Sequence, residues 1–124
     1  MYYIVLHNMW YEDSKERKNV ETQFRRGILE ICALAVLEKG ESYGYKLVTD
    51  ISELIPITES TLYPILKRLE ASDMLVVSSQ EYNGRLRKYY RITEPGRQHL
   101  TELLNEWEEI IRIYHLIMKE RQER

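Results

Sequence analysis

Apolar residues recur at a helical spacing in the segment that begins at Phe24 and ends before Gly40. The apolar positions are Phe24, Ile28, Ile31, Leu34 and Ala35, followed by an apolar run to Leu37. A helix that is apolar on nearly every side is normally buried on several sides, and glycine commonly follows a helix end. The pattern therefore predicts a buried first helix, covered by its own domain and by a partner chain.

Two shorter helical patterns follow, separated by a tight turn. The first has apolar positions at Leu47, Val48, Ile51, Leu54 and Ile55, and the second at Leu62, Ile65, Leu66 and Leu69. Ser42 and Thr58 are suitable N-cap residues for them. Pro56 ends the first pattern because the residue before a proline disfavours helical backbone. Two short helices joined by a tight turn and backed by a buried helix are typical of a helix-turn-helix.

A β-hairpin is predicted after Asp73, where the apolar period changes to two and Asn83-Gly84 lies between two such runs. A two-residue turn pairs Tyr82 with Arg85, Val77 with Tyr90 and Leu75 with Ile92. The apolar residues then share one face, and Arg85, Arg87 and Arg91 share the other. A slip of one residue would mix the two faces, so the register is well specified.

Thr93 is a suitable cap for a last helix with Glu94 and Pro95 in its first turn, where both are favourable. From Leu104 its apolar positions advance in steps of three and four residues, as in a coiled-coil seam. The predicted dimer interface comprises Leu100, Leu104, Trp107, Ile111, Tyr114 and Met118. A helix of about 25 residues extends about 37 Å, longer than so small a domain. The apolar stripe of this helix is most simply buried by packing against a second copy of the chain, related by a two-fold axis.

These elements predict a mainly α fold with a small β-hairpin: a winged helix-turn-helix domain with a long C-terminal dimerisation helix. The charged stretch Glu12–Lys18 separates an aromatic N-terminus from the rest. We therefore divide the chain into an N-terminal arm or extra helix (1–20), the winged helix-turn-helix (21–93) and the dimerisation helix (94–124).

The amino-acid composition limits the classes of function that this chain can have. The chain has 124 residues and a formal net charge of −2, which exclude a disordered tail and a generally basic nucleic-acid binder. Its one cysteine, Cys32, excludes an intrachain disulfide and a cysteine metal cluster and favours a reducing compartment. The apolar opening, Tyr2–Leu6, is too short for a membrane span. We expect a cytoplasmic protein without a membrane partner.

The sequence offers little for catalysis. His7, His99 and His115 lie far apart with no companion at metal-ligand spacing, and no phosphate-binding loop or nucleophile elbow is present. We expect no enzyme activity, no metal and no cofactor.

The local charge is more informative than the total. Residues 55–92 carry a net charge of +2, all of it on the third helix and the hairpin. In a winged helix-turn-helix these two elements face the DNA duplex. The predicted contacts are Ser60, Thr61, Tyr63 and Lys67 on the helix and Arg85, Arg87 and Lys88 on the hairpin.

Four segments together resemble the PadR family of transcriptional regulators. They are Tyr43-Gly-Tyr-Lys-Leu47, Glu59-Ser-Thr-Leu-Tyr-Pro-Ile-Leu-Lys-Arg-Leu-Glu70, Arg87-Lys-Tyr-Tyr-Arg-Ile-Thr-Glu-Pro-Gly-Arg97 and Leu104-Asn-Glu-Trp107. The resemblance covers residues 24–118. It implies a homodimer that acts mostly as a repressor at an inverted-repeat operator in double-stranded DNA and is released by a small molecule or a stress signal.

The resemblance also assigns roles to residues. Thr61, Tyr63 and Lys67 match the family's recognition helix, Arg87 and Lys88 match the base of its wing, and Tyr43 matches a position that touches phosphate. The chain departs from the family pattern in two places. Its wing lacks the glycine- and proline-rich tip common in relatives, which argues against deep insertion into the minor groove, and residues 1–20 have no counterpart.

Two alternatives stay open from the sequence. Some relatives bind aromatic effectors near the tryptophan of the last helix. Trp107 and Tyr114 are therefore either effector-binding residues or part of the dimer core. Aromatic residues on a coiled-coil seam more often serve only in packing. A winged-helix protein-interaction module without DNA binding is the other functional class that fits the fold. Such a module has no reason to keep the arginine face of the hairpin together with Thr61, Tyr63 and Lys67.

Overall fold

The computed structural model describes the backbone of residues 14–124 and the side chains of residues 23–124. In chain order the elements are α1 (Ser14–Glu38), β1 (Ser42–Tyr43), α2 (Gly44–Ser52), α3 (Glu59–Ala71), β2 (Leu75–Tyr82), β3 (Arg85–Ile92) and α4 (Glu94–Gln122). The three strands form an antiparallel sheet in the order β1-β3-β2. The predicted fold class, mainly α with a small β-hairpin, is confirmed, and β1 extends the hairpin to a three-stranded sheet. Among the described residues, no helix has both the length and the apolar character needed to cross a membrane.

Helix α1 forms the centre of the domain. Leu29, Ala33, Leu34 and Leu37 are buried on it, and Ile28, Ile31 and Ala35 pack against the same core. The helix contacts α2, α3, β3 and α4, which confirms burial on several sides. It begins at Ser14 and runs unbroken through residue 20, where the predicted N-terminal segment ends. Residues 1–13, the larger part of that segment, lie outside the described residues.

Helices α2 and α3 form the helix-turn-helix, with Leu47, Ile51, Leu62 and Leu66 fully buried between them and α1. Helix α2 ends at Ser52, earlier than predicted. The carbonyl of Ile51 accepts from the amides of both Leu54 and Ile55, at 2.8 and 2.9 Å, which closes the last turn. Leu54 is consequently 64% exposed and does not belong to the apolar stripe.

The prediction that Ser42 caps α2 is wrong. Ser42 pairs with Tyr90, and Tyr43 with Tyr89, so the two residues form a third strand on the hairpin. The Ser42 side chain is buried on the core side of the sheet. Tyr43 takes the N-cap position with extended backbone and makes no side-chain cap. Pairing with β3 has therefore replaced the cap as the support for this end of α2.

The predicted hairpin and its register are confirmed. Tyr82 pairs with Arg85, Val77 with Tyr90 and Leu75 with Ile92. Asn83 and Gly84 both have positive φ, 52° and 78°, as a two-residue type I′ turn requires. Leu75, Tyr90 and Ile92 are buried on the inner face, so the alternation of the sequence fixes which face meets the core.

Helix α4 is 29 residues long, about 43 Å. Thr93 caps it as predicted: its hydroxyl accepts from the Gly96 amide at 3.0 Å and donates to the Asp73 carbonyl at 2.6 Å. Gly96 is buried so closely against Met74, the residue before β2, that a Cβ there would overlap the Met74 carbonyl oxygen. Only the first turns of α4 are therefore packed tightly in the domain.

Candidate nucleic-acid interface

One face of α3 is in the core and the other is in solvent. Leu62, Ile65, Leu66 and Leu69 are buried, whereas Ser60, Thr61, Tyr63 and Lys67 are exposed. The predicted division of this helix is therefore confirmed. The four exposed residues present two hydroxyls, a phenol and an ammonium group to solvent.

The start of α3 is ordered by hydroxyl groups. Thr58 occupies the predicted N-cap position with extended backbone, but its side chain makes no cap hydrogen bond. Its Oγ1 instead lies 3.1 Å from the Ser60 hydroxyl and 3.2 Å from the Thr61 hydroxyl. These exposed groups are therefore held together at the helix terminus, where the backbone amides and the helix dipole favour an anion.

Tyr63 connects α3 to α2. Its ring is 43% exposed, yet its hydroxyl oxygen lies so close to Gly44 that a Cβ at residue 44 would stand 2.5 Å from it. Gly44 is the first residue of α2. The absence of a side chain at this position therefore sets where the Tyr63 phenol lies.

Arg87 does not extend freely from the wing. Its guanidinium carbon lies 3.6 Å from the centroid of the Tyr43 ring and 3.9 Å from that of Tyr82. Its Nε donates to the Tyr89 hydroxyl at 3.0 Å, and its Nη2 donates to the same oxygen. The hydrogen bond to Tyr89 raises the pKa of Arg87 above its ordinary value. Arg87 as a whole residue is half-buried, in contrast to the exposed Arg85 and Lys88.

A cleft of about 750 Å³ lies between the N-terminal half of α3 and the wing. It brings together four of the eight residues predicted to contact DNA: Tyr43, Tyr63, Arg87 and Lys88. Ser60, Thr61, Lys67 and Arg85 do not line it. Tyr90 closes its inner side, and burial raises the pKa of that phenol.

Sequence reasoning missed two tyrosines of this cleft. Tyr45 is 69% exposed and Tyr82 is 52% exposed, and both line it. The predicted register contained the signal for Tyr82, because Tyr82 and Arg87 lie on the same face of the hairpin in diagonally adjacent pairs. For Tyr45 the signal was its place within the Tyr43-Gly-Tyr segment.

The basic residues of the predicted DNA face differ in how many contacts they make within the protein. Arg68 forms an ion pair with Glu30 on α1 at 2.9 Å, and Arg87 is covered by tyrosines. Of the six basic residues between 55 and 92, Lys67, Arg85, Lys88 and Arg91 remain exposed. The positive surface is therefore carried by one residue on α3 and three on the wing.

A second surface of interest is the outer face of α4. Trp107 packs on Phe24 of α1, with ring centroids 5.7 Å apart, and lines an apolar cleft of about 290 Å³ beside Cys32. Burial raises the pKa of the Cys32 thiol. Tyr114 lies seven residues further along α4, is 56% exposed and contacts His115. The two predicted effector-binding aromatics are therefore not brought together within one chain.

The predicted interface stripe of α4 needs one correction. Leu100 is 2% exposed and packs in the core of its own domain, because α4 packs against α1. Leu104, Ile111 and Tyr114 are 49%, 50% and 56% exposed. Trp107 and Met118 are partly exposed. An uncovered apolar stripe thus begins after the tightly packed turns of the helix.

Comparison with known proteins gives consistent matches. The family profile described as "Transcriptional regulator PadR-like family" matches residues 33–102. Transcriptional regulator Rv3488 of Mycobacterium tuberculosis is 35% identical over 91 residues, which is 73% of this chain and 85% of the relative.

Two solved structures share the fold at comparable identity. A PadR-like transcription factor from Bacteroides fragilis is 36% identical, with a TM-score of 0.72 over 80% of this chain and 98% of that one. A PadR family transcriptional regulator from Eggerthella lenta is 32% identical, with a TM-score of 0.71 over 89% of this chain and 96% of that one. The chain described here belongs to the PadR-like family of transcriptional regulators.

Proposed function

We propose that this regulator is a homodimeric repressor that binds an inverted-repeat operator through α3 and the wing. The observation that carries the proposal is the cleft between these two elements, in which Tyr63 of α3 and the exposed Lys88 of the wing both lie. In a winged helix-turn-helix, the recognition helix enters the major groove and the wing follows the DNA backbone. The exposed cations of this region supply the attraction to phosphate.

The contacts that we propose divide into base-reading and backbone contacts. Ser60, Thr61, Tyr63 and Lys67 enter the major groove, since they form the solvent face of α3. Arg85 and Lys88 contact phosphates from the wing, and Tyr43 contacts a phosphate from the start of α2. For Arg87, which the sequence predicts as a wing contact, we propose a supporting role instead, because two rings stack on its guanidinium.

Dimerisation through α4 is the second part of the proposal. The uncovered stripe includes Leu104, Ile111 and Tyr114, each about half exposed. Contiguous apolar side chains of this size normally mark an interface. A two-fold axis would place the same stripe of a second copy against them. The same axis relates two α3 helices, as an inverted-repeat operator requires.

Release by a small aromatic effector is the third part. The cleft beside Trp107 is lined by apolar side chains from α1 and α4. A flat aromatic compound fits such a cleft by stacking on the indole. Since the same two helices meet at the edge of the proposed dimer interface, an occupant there would alter the separation of the two α3 helices.

Operator binding is tested by fluorescence anisotropy with the DNA upstream of the protein's own gene, measured over a series of salt concentrations. We expect affinity to fall steeply as salt increases, because each phosphate contact releases counterions. Lys67→Ala should weaken binding by about 1–3 kcal/mol if the ammonium reaches a base. The matched control is Lys119→Ala, an exposed lysine of α4 outside the winged helix. Binding that is indifferent to salt would instead favour a protein-interaction module.

A further inference from the structure

Arg87 joins all three strands of the sheet through its side chain. The residue lies on β3, and its guanidinium is held between Tyr43 of β1 and Tyr82, the last residue of β2. Both cation–ring distances, 3.6 and 3.9 Å, are well inside the range of about 6 Å in which a cation is attracted to an aromatic face. We call this arrangement the Arg87 sandwich.

One edge of the same guanidinium is also occupied. Nε and Nη2 both donate to the hydroxyl of Tyr89, the next outward-facing residue of β3. Two aromatic rings and one phenol oxygen therefore engage the same guanidinium. The neighbouring basic residues Arg85 and Lys88 are exposed, and no such set of contacts to them is found among the described side chains.

The wing needs this support because backbone pairing with β1 is short. Strand β1 consists of two residues and pairs only with Tyr89 and Tyr90. The outer part of β3, from residue 85 to residue 88, therefore has a strand neighbour on one side only. The side chain of Arg87 spans this unpaired edge by reaching the ring of Tyr43.

The sandwich also lies next to the recognition helix. Tyr43 is followed directly by Gly44, on which the Tyr63 hydroxyl of α3 rests. A continuous set of contacts therefore runs from the wing through the start of α2 to α3. The separation between the wing and α3 determines whether both meet the same DNA duplex.

We propose that Arg87 is a positioning residue: it fixes the wing against the start of α2, so that Lys88 and Arg85 reach the DNA backbone, and it does not contact DNA itself. This inference rests on the proposed DNA-binding function. The role requires a planar guanidinium, which covers two rings and donates along its edge. The ammonium of lysine is a compact point charge and cannot do both.

The test is a double-mutant cycle on operator affinity with the full chain. Arg87→Lys keeps the charge and should weaken binding about tenfold, the effect of roughly one lost or misplaced contact. Lys88→Ala should weaken binding about fivefold in the wild-type background but less than twofold in the Arg87→Lys background, because the wing is already displaced. Lys67→Ala on α3 should have the same effect in both backgrounds. Tyr82→Leu, which removes one ring and no charge, should reproduce Arg87→Lys.

A direct phosphate contact gives a different result. Arg87→Lys would then bind nearly as tightly as the wild type, Tyr82→Leu would have little effect, and Lys88→Ala would be additive with Arg87→Lys. Any of these three results would overturn the proposal. A loss of affinity caused by general destabilisation would change the effects of Lys67→Ala and Lys88→Ala alike, and that result also counts against it.

The sandwich itself is tested without DNA. In the NMR spectrum of the free protein, the Arg87 Nε–H signal should be protected from exchange and shifted by the rings, and Tyr82→Leu should remove the shift. An unshifted signal would refute the arrangement. If the signal is shifted but neither Lys67→Ala nor Lys88→Ala changes operator affinity, the proposed DNA contacts are wrong, and the positioning role fails with them.

Discussion

The hydroxyl of Tyr63 lies directly against Gly44, so that the first residue of α2 and the exposed aromatic of α3 share one small space. A Cβ at residue 44 would meet the phenol oxygen at 2.5 Å and two ring carbons at 3.1 Å. The angle between the two helices of the helix-turn-helix therefore depends on a residue without a side chain. Tyr63 also lines the cleft between α3 and the wing.

Gly44→Ala should destabilise the protein by about 1–3 kcal/mol, the usual cost of overpacking. The new methyl group displaces the Tyr63 ring, and urea unfolding measures the change. The same substitution is also made in the Tyr63→Phe variant, which lacks the oxygen nearest to the new methyl group. In that variant, Gly44→Ala should lower the free energy of unfolding clearly less. Equal costs in the two backgrounds would mean that the contact does not determine the effect.

Gly96→Ala should be more damaging, by about 3 kcal/mol, at the upper end of the overpacking range. The obstacle is the Met74 carbonyl oxygen, a backbone atom that a side-chain rotation cannot move away. The control is Gly27→Ala on α1, where a Cβ meets no atom within 4 Å. Since alanine favours a helix interior over glycine, Gly27→Ala should stabilise the protein by about 0.5–1 kcal/mol. Thermal unfolding of the two variants should therefore shift in opposite directions.

Thr93→Val should lower the free energy of unfolding by about 1 kcal/mol, the typical value of an N-cap. The hydroxyl of Thr93, which lies between β3 and α4, accepts from the Gly96 amide in α4 and donates to the carbonyl of Asp73, in the turn before β2. Thr101→Val is the matched control, because the Thr101 hydroxyl is exposed and donates to the Arg97 carbonyl of its own helix. A similar loss of unfolding free energy in both variants would show that the Thr93 cap contributes no more to stability than an ordinary hydroxyl within the helix.

Local patterns predicted most of the fold because they act over a few residues. The Asn83-Gly84 turn fixed the register of the hairpin, and Thr93 capped α4 where the sequence placed it. Ser42 has the same cap chemistry but became part of a strand. Its pairing partner, Tyr90, lies 48 residues away in the sequence. This long-range strand pairing outweighs the local preference of serine for a helix N-cap.

The candidate site was less predictable because it too depends on contacts between residues that are far apart in the sequence. The exposed face of α3 follows from helical spacing alone, and it is present as expected. The environment of Arg87 depends on three tyrosines from three strands. Positive charge and position on the wing favoured a DNA contact, but neither property reports which aromatic rings the folded chain places against the guanidinium.

Ile111→Asp should convert the proposed dimer to a monomer without unfolding it. Ile111 is 50% exposed within one chain, so a carboxylate there stays hydrated in the monomer but would be buried in a dimer. Sedimentation velocity measures the change, and far-ultraviolet circular dichroism verifies the fold. Glu106→Gln, on an exposed position of the same helix, is the control and should remain dimeric. An Ile111→Asp variant with the wild-type sedimentation coefficient would exclude this stripe as the interface.

Planar aromatic compounds should quench the fluorescence of Trp107 if the cleft between α1 and α4 binds an effector. The indole lies at the edge of this cleft, against Phe24, so a stacked ligand would contact it directly. The chain has two tryptophans, and Trp10→Phe leaves Trp107 as the only one. Quenching should persist in Trp10→Phe and disappear in Trp107→Ala. Ile28→Ala, which widens the cleft, should change the ligand affinity. If no aromatic compound quenches Trp107 at any concentration tested, the cleft is dimer core alone.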